Sequence, residues 1–254
     1  MKTTFPIRSK SSLLQVAENL SLRCDAKQSE PRFLDLERFF REQETVFLNA
    51  YLPEPFVKGV QPNYLDEPGE DGSAYVVNTL SVQNLKISAP ACRWILLQNY
   101  KSLTEGRMLK DGDVVLTVDG GTSIGKSAVF SSGDFKAQLG LDEDDSLFVT
   151  VDSHVAILRP EGVSPEALVY LLSSPIGQAQ FQKAESGASG QTAVSESDIR
   201  AFKFPKLTPE KISVAVMQLK ESLEQVALLE KEAEATRING WKSFEDLLSS
   251  NKKW

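Results

Sequence analysis

Two cysteines and a single histidine in 254 residues leave little material for a metal centre or a histidine-based catalytic site. Cys24 and Cys92 lack a partner at metal-ligand spacing, and they do not make the disulfide framework of a small secreted domain. The lone His154 is followed by Val155, Ala156 and Ile157, an apolar run that reads as a strand. A hydrolase triad would also need a nucleophile on a sharp turn, which the sequence does not offer, so His154 reads as a hydrogen-bonded structural residue. Long apolar runs are missing too. Nothing approaches the ~20 residues of a membrane-spanning helix, and the segment from Met1 to Lys10 lacks the apolar centre of a secretory signal. The expectation is a cytoplasmic protein. An excess of positive charge is absent as well: 28 Lys and Arg stand against 35 Asp and Glu, a formal net charge of -7. That excludes a protein that coats nucleic acid by bulk attraction, because such binding rests on clustered cations.

What remains is an ordinary globular composition, 41% hydrophobic and 25% charged, in a chain long enough for one large domain or two small ones. The acid is unevenly spread, with four acids in a row at Asp142-Glu143-Asp144-Asp145. A local basic face near Lys58, Lys86, Lys126 and Lys136 survives that imbalance. Helical spacing appears over Ser11 to Leu20 and again from Pro31 to about Glu44, where Phe33, Leu34, Leu36, Phe39 and Phe40 form the apolar side. Glu54 to Gly72 reads as a loop with brief extended pieces. Ser73 to Leu85 reads as a strand and turn with Tyr75, Val76, Val77 and Leu80 as core candidates.

The centre of the chain is organised by Leu109 to Pro160. A turn at Asp111-Gly112 leads into the apolar run Val114 to Val118, a glycine turn follows, and a second apolar segment starts at Ala128. The loop between them, Gly120 to Ser127, satisfies the G-x-x-x-x-G-K-[ST] phosphate-loop pattern, and Leu147 to Asp152 offers a matching apolar strand ending in an acid. A phosphate loop must open a helix, whose N-terminus and successive N–H groups hold the phosphates. Here Ser127-Ala-Val-Phe130 is β-like and Ser131-Ser-Gly-Asp134 reads as a closing turn. A strand-loop-strand hairpin is therefore expected, with ATP binding as the alternative.

Further along, Pro165 to Glu185 reads as helix broken near Ser174-Pro175, Ser186 to Gln191 as a glycine-serine loop, and Phe202 to Phe204 as a short strand. Thr208 caps a helix starting at Pro209. Its apolar positions Ile212, Val216, Leu219, Leu223, Val226 and Leu229 recur at the spacing of a coiled-coil seam. The helix is expected to reach Arg237, roughly 40 Å at 1.5 Å per residue, and to stop at Asn239-Gly240.

Leu109-x-x-Gly112-Asp113-Val114-Val115-Leu116, Gly121 to Lys126, Ser153-His154-Val155 with Arg159-Pro160, Tyr170-Leu171 and Gly177-Gln178-x-Gln180-Phe181 form an ordered set of short signals. With Gly187-Ala188, Gln191, Asp198-Ile199 and Phe204-Pro205 ahead of a long helix, the set resembles the target recognition domain of type I restriction-modification specificity subunits. It covers about Lys58 to Arg237. The resemblance implies an α/β (α+β) fold, a mixed-sheet recognition domain over 1–206, a long dimerisation or spacer helix over 207–238, and a short helix and tail over 239–254.

It also implies a non-catalytic DNA-binding subunit that directs partner DNA methyltransferase subunits and a translocase-nuclease subunit. S-adenosylmethionine, ATP and Mg belong to those partners, so no cofactor is expected in this chain. Amide side chains pair with adenine and lysine with guanine in the major groove. On that basis Lys58, Gln61, Asn63, Tyr64, Asn78, Gln83, Lys86, Lys126 and Lys136 are the candidate DNA contacts. In the family two such helices pack antiparallel between two recognition domains. One domain and one helix therefore imply a homodimer through Ile212, Val216, Leu219, Leu223, Val226 and Leu229, reading an interrupted palindrome. A coiled-coil interaction adaptor without DNA binding is the other alternative.

Overall fold

The computed structural model describes residues 30–69, 72–83, 85–185 and 192–250. The expected helix at Ser11 to Leu20, Cys24, Asn84, the loop 186–191 and the tail residues Lys252, Lys253 and Trp254 lie outside them. The chain divides into two compact units, Met1–Lys206 and Leu207–Trp254. In chain order the first unit contains α1 (Pro31–Arg41), β1 (Thr45–Phe47), β2 (Val57–Lys58), β3 (Ser73–Val77), β4 (Val82–Gln83), β5 (Lys86–Ile87), β6 (Arg93–Leu96) and α2 (Leu97–Lys101). It continues with β7 (Val114–Thr117), β8 (Ser127–Val129), α3 (Ser132–Leu139), β9 (Val149–Val151), β10 (Val155–Leu158), α4 (Pro165–Ser173), α5 (Pro175–Ala184), α6 (Glu196–Arg200) and β11 (Lys203–Pro205). The second unit is α7 (Pro209–Ser250).

Two sheets carry the first unit. One is antiparallel in the order β2-β10-β7-β8, and the other, β6-β3-β9, pairs β3 with β9 in parallel. The turn between β9 and β10 takes the chain from one sheet to the other. Alternate residues of β7 and β10 enter different cores. Val114, Leu116, Ala156 and Leu158 pack with Leu168, Leu172, Phe181 and Phe204, while Val115, Val155 and Ile157 pack with Val77, Val149, Val151, Phe130 and Phe135. Burial on both faces explains why these strands read as continuous apolar runs and not as alternations. At ~1.5–3 kcal/mol for each large apolar side chain taken out of water, these two strands anchor the unit.

The remaining elements follow local chemistry. Pro31 fixes the first turn of α1, which buries Phe33, Leu36 and Phe40 and leaves Phe39 exposed. The helix stops at Arg41, short of Glu44, because Thr45–Phe47 pairs with β11, Val46 opposite Phe204. Between α4 and α5, Ser174 takes a β conformation and accepts from the Gly177 N–H. Pro175 then starts the new helix, and the expected break is present.

Three expectations are corrected. Ser131 to Asp134 is no closing turn: Ser131 accepts the Asp134 N–H at 3.2 Å and caps α3, which ends at Gly140 in the left-handed region. Leu80 is not in the core but 77% exposed. And α7 does not stop at Asn239-Gly240. It runs unbroken for 42 residues, about 63 Å at 1.5 Å per residue. One interior glycine costs only about 1 kcal/mol relative to alanine, and the flanking Ala, Glu, Lys and Leu residues continue the helix on both sides with no proline to end it. Thr208 does cap its start, accepting the Lys211 N–H at 3.4 Å. Along α7, Ile212, Val216 and Leu223 are half-buried, while Leu219, Val226 and Leu229 are exposed. A second exposed apolar group, Ile238, Trp241, Phe244, Leu247 and Leu248, follows Arg237.

Candidate nucleic-acid interface

The strand directions bring four segments to one end of the two sheets. Strands β3, β7 and β9 finish there, β10 starts there, and the chain leaving β2 runs the same way, with Val60 bridged to Asp152. The segments are the turn Asn78–Ser81, the loop from Asp119 to Lys126, the turn Asp152-Ser153-His154, and residues 60–65. Gly120 lies against Thr79, whose methyl carbon would be 3.5 Å from a Cβ on that glycine.

The turn after β3 is locked by its own side chains. Asn78 Oδ1 accepts from the N–H groups of Leu80 (2.8 Å) and Ser81 (3.1 Å), and Ser81 Oγ donates to the Asn78 carbonyl at 2.9 Å. Asn78 is buried. It shapes the turn and does not present its amide to a ligand, which corrects its place among the candidate contacts. The tip of the turn is Leu80.

The Gly120 to Ser127 loop is not a phosphate loop. It leads into β8, and four of its N–H groups are already used. Gly120 N–H donates to Thr192 O (3.3 Å), Ser123 to Gly120 O (3.3 Å), Gly125 to Thr117 O (3.0 Å) and Lys126 to Ser123 O (3.2 Å). Ser127 is buried, its hydroxyl 3.3 Å from that of Ser173. Gly125 is a glycine because its φ is +84° and a Cβ would stand 2.8 Å from the Phe181 ring. The motif is a coincidence of a tight hairpin with close packing, and the ATP-binding alternative loses its structural basis.

In the third segment the His154 N–H donates to Asp152 Oδ1 at 2.9 Å, and His154 Nδ1 bonds Asp119 Oδ1. Asp152 is buried, and burial raises its carboxyl above the usual range, against the opposing hydrogen bond from the His154 N–H. The Tyr64 hydroxyl donates to Asp152 Oδ2 at 3.1 Å, and the Arg93 guanidinium lies 4.0 Å from the Tyr64 ring centre. Burial first, then the Asp152 charge, hold the Tyr64 phenol far above its ordinary value. Tyr64 is thus an anchor for its segment. Beside it, Gln61 is exposed and accepts from Ser153 Oγ at 2.9 Å, and Asn63 is exposed.

The other candidates divide. Lys126 is half-buried in the central loop, and the Leu85 N–H, donating to Ser127 O at 3.1 Å, ties the β4–β5 hairpin with exposed Gln83 and Lys86 to the same end. Lys58 is exposed on edge strand β2, its carbonyl accepting from Arg107 Nε at 3.2 Å. Lys136 is not brought there. Helix α3 starts at the opposite end, with Ser132 Oγ on Asp111 at 2.8 Å, and the Lys136 ammonium donates to Glu143 O beside the exposed acidic turn. Arg93, Asp119 and His154, which the sequence did not place among the candidates, also stand at this end. Their signal is the strand register, which no residue spacing reveals.

The opposite end is closed. Arg159 grips Asp113 through Nε and Nη2, both at 2.9 Å, and also donates to Gly106 O at 3.1 Å. Back at the first end, Cys92 is buried beside Ser81, its thiol pushed up to about 12, chiefly by burial. Among the described residues, no group of three or more His, Cys, Asp and Glu could hold a metal ion.

A mixed α/β head built on two main sheets and two strand pairs, followed by a long helix, defines the architecture. No protein-family model matches the sequence, and no curated protein matches it. Among solved structures, the Type-I restriction-modification system S subunit from M. genitalium is 13% identical with a TM-score of 0.51, covering 82% of this chain and 46% of that one. The HsdS subunit from Thermoanaerobacter tengcongensis is 17% identical (TM-score 0.47; 82% and 47% covered). A chain from a study of complex assembly and conformational transition of the type I R-M system is 18% identical (TM-score 0.49; 90% and 54% covered). The chain spans about half the length of these proteins. It has the fold of a type I restriction-modification S subunit, and the fold comparison rests on the M. genitalium protein. No helix among the described residues is long and apolar enough to cross a membrane.

Proposed function

We propose that this chain is a DNA specificity component of a type I restriction-modification complex, a reader without chemistry of its own. The observation that carries this reading is the likeness in fold to the M. genitalium S subunit. The loops gathered at one end of the head supply the means. Gln61 and Asn63 offer amides to base edges, while Lys58, Lys86, Lys126 and Arg93 fix register on phosphates. The acidic net charge makes bulk attraction a poor source of affinity, so local contacts and partner subunits must supply it. DNA methyltransferase subunits carrying S-adenosylmethionine, and a translocase-nuclease using ATP and Mg, are the partners of this reading.

The apolar stripe of α7 needs a second helix over it. In this reading a second copy of the chain supplies that helix, pairing through Ile212, Val216, Leu219, Leu223, Val226 and Leu229. The target is then a two-fold-related pair of half-sites more than one DNA turn, ~34 Å, apart. The test is selection from a random-sequence duplex library by the full chain together with its methyltransferase subunit. Enrichment of one bipartite sequence is expected. Failure to enrich any sequence would overturn the DNA reading and leave an interaction adaptor. Light scattering at micromolar concentration is expected to give a dimer, with Leu223→Asp shifting it to monomer.

A further inference from the structure

The only histidine, which the sequence places within a strand segment, stands in the turn before β10 with 46% of its side chain exposed. Its backbone is fixed on both sides: the N–H donates to Asp152 Oδ1 at 2.9 Å, and the carbonyl accepts the Val118 N–H at 3.0 Å. Its ring is fixed on one side only, through Nδ1 and Asp119 Oδ1. Asp119 itself is bridged to Ala193 and sits at the end of β7. Among the described residues Nε2 has no partner. In the neutral imidazole a carboxylate at Nδ1, being only an acceptor, selects the tautomer with the hydrogen there and leaves Nε2 a bare acceptor. At this exposure Nε2 is open to a partner from outside the protein.

Resting on the DNA-recognition reading above, we infer that His154 is a base-reading residue whose Nε2 accepts a hydrogen bond from the exocyclic amino group of adenine or cytosine in the major groove. Asp119 is its positioning residue. The major groove displays those amino groups as the only base-edge donors, so an acceptor held at fixed height discriminates adenine or cytosine from thymine or guanine at that position. The neighbouring Gln61, bonded to Ser153, and Lys126 frame the same end of the head.

The experiment is duplex selection by the full chain with its methyltransferase subunit, using wild type, His154→Ala, His154→Gln and Asp119→Asn, each checked for folding by thermal melting. His154→Ala is expected to lose discrimination at one base pair of each half-site by about 2- to 12-fold, the worth of one hydrogen bond, with every other position unchanged. Asp119→Asn can donate to Nδ1, which moves the hydrogen to Nε2 and shifts preference at that same position to guanine or thymine, bases that present an acceptor. A merely structural histidine would not produce that shift. A folded His154→Ala, or His154→Gln if the alanine variant does not fold, that selects the wild-type bases at every position overturns the inference and leaves the DNA reading standing. A wild-type complex that selects no sequence overturns both.

Discussion

Strands β7 and β10 are framed by an acid and a base at each end, and the two ends differ. At one, Asp113 and Arg159 meet through two parallel hydrogen bonds, Asp113 buried and Arg159 one-third exposed, and Gly106 O takes a further guanidinium N–H. At the other, Asp119 and His154 share one bond, and the imidazole stands half in solvent with a nitrogen unused. The first arrangement spends its donors inside the protein and can only hold the sheet together. The second keeps an acceptor in reserve. The same pair of strands thus carries a clamp at one end and a presented group at the other. The turns that gather around the presented group are the ones a partner can reach.

The largest effect is expected from opening the clamp. Asp113→Ala leaves the Arg159 guanidinium without its carboxylate, and breaking such a pair should cost about 3 kcal/mol in urea denaturation. DNA selection by the remaining folded protein should be unchanged. Lost selectivity without lost stability would reverse the roles assigned to the two ends. Gly125→Ala comes next. A Cβ at φ +84° and 2.8 Å from the Phe181 ring should destabilise by roughly 2 kcal/mol, read as a lowered melting temperature.

A smaller effect concerns pH. Burial raises the Asp152 carboxyl in the folded chain, so the folded state binds that proton more readily than the unfolded one. Stability attributable to Asp152 therefore falls as pH rises from the ordinary carboxylate value through the raised one. Asp152→Asn removes that fall, and its stability relative to wild type should climb between acid and neutral pH. A flat or opposite trend in paired denaturation curves would mean that the Tyr64 and His154 hydrogen bonds outweigh burial. The smallest effect is none at all: Lys126→Ala should leave ATP binding at background, because the loop opens a strand and no helix, and the N–H groups of Gly120, Ser123, Gly125 and Lys126 are committed to carbonyls.

Much of the head was legible because local chemistry and tertiary packing agree. The apolar runs of β7 and β10, the Ser174-Pro175 break and the Thr208 cap each follow from residues within a few positions of one another. The motif Gly120 to Ser127 was resolved correctly from its neighbours, since no helix opens at Ser127. The next four residues were misread because Ser131-Ser-Gly-Asp134 suits a turn and a helix start equally. Only the packing of Phe135 into the core favours the helix. The continuation of α7 through Gly240 was hidden for a related reason: a glycine marks a helix end only when the chain beyond it has somewhere else to go.

The candidate interface was legible in residue type and illegible in role. Asn78 and Tyr64 have the chemistry of DNA contacts, yet one is spent on its own turn and the other on Asp152. Gln61 and Lys126 do reach the shared end, and Lys136 does not.

By itself the sequence determined most of the elements, their order and the apolar runs of the central strands, because hydrophobic periodicity and end-capping act over a few residues. Which turns meet, which polar groups are already satisfied there and which nitrogen of His154 is left over were decided only by the tertiary structure. Those outcomes depend on the register between strands dozens of residues apart, and register is set by the packing of the whole sheet.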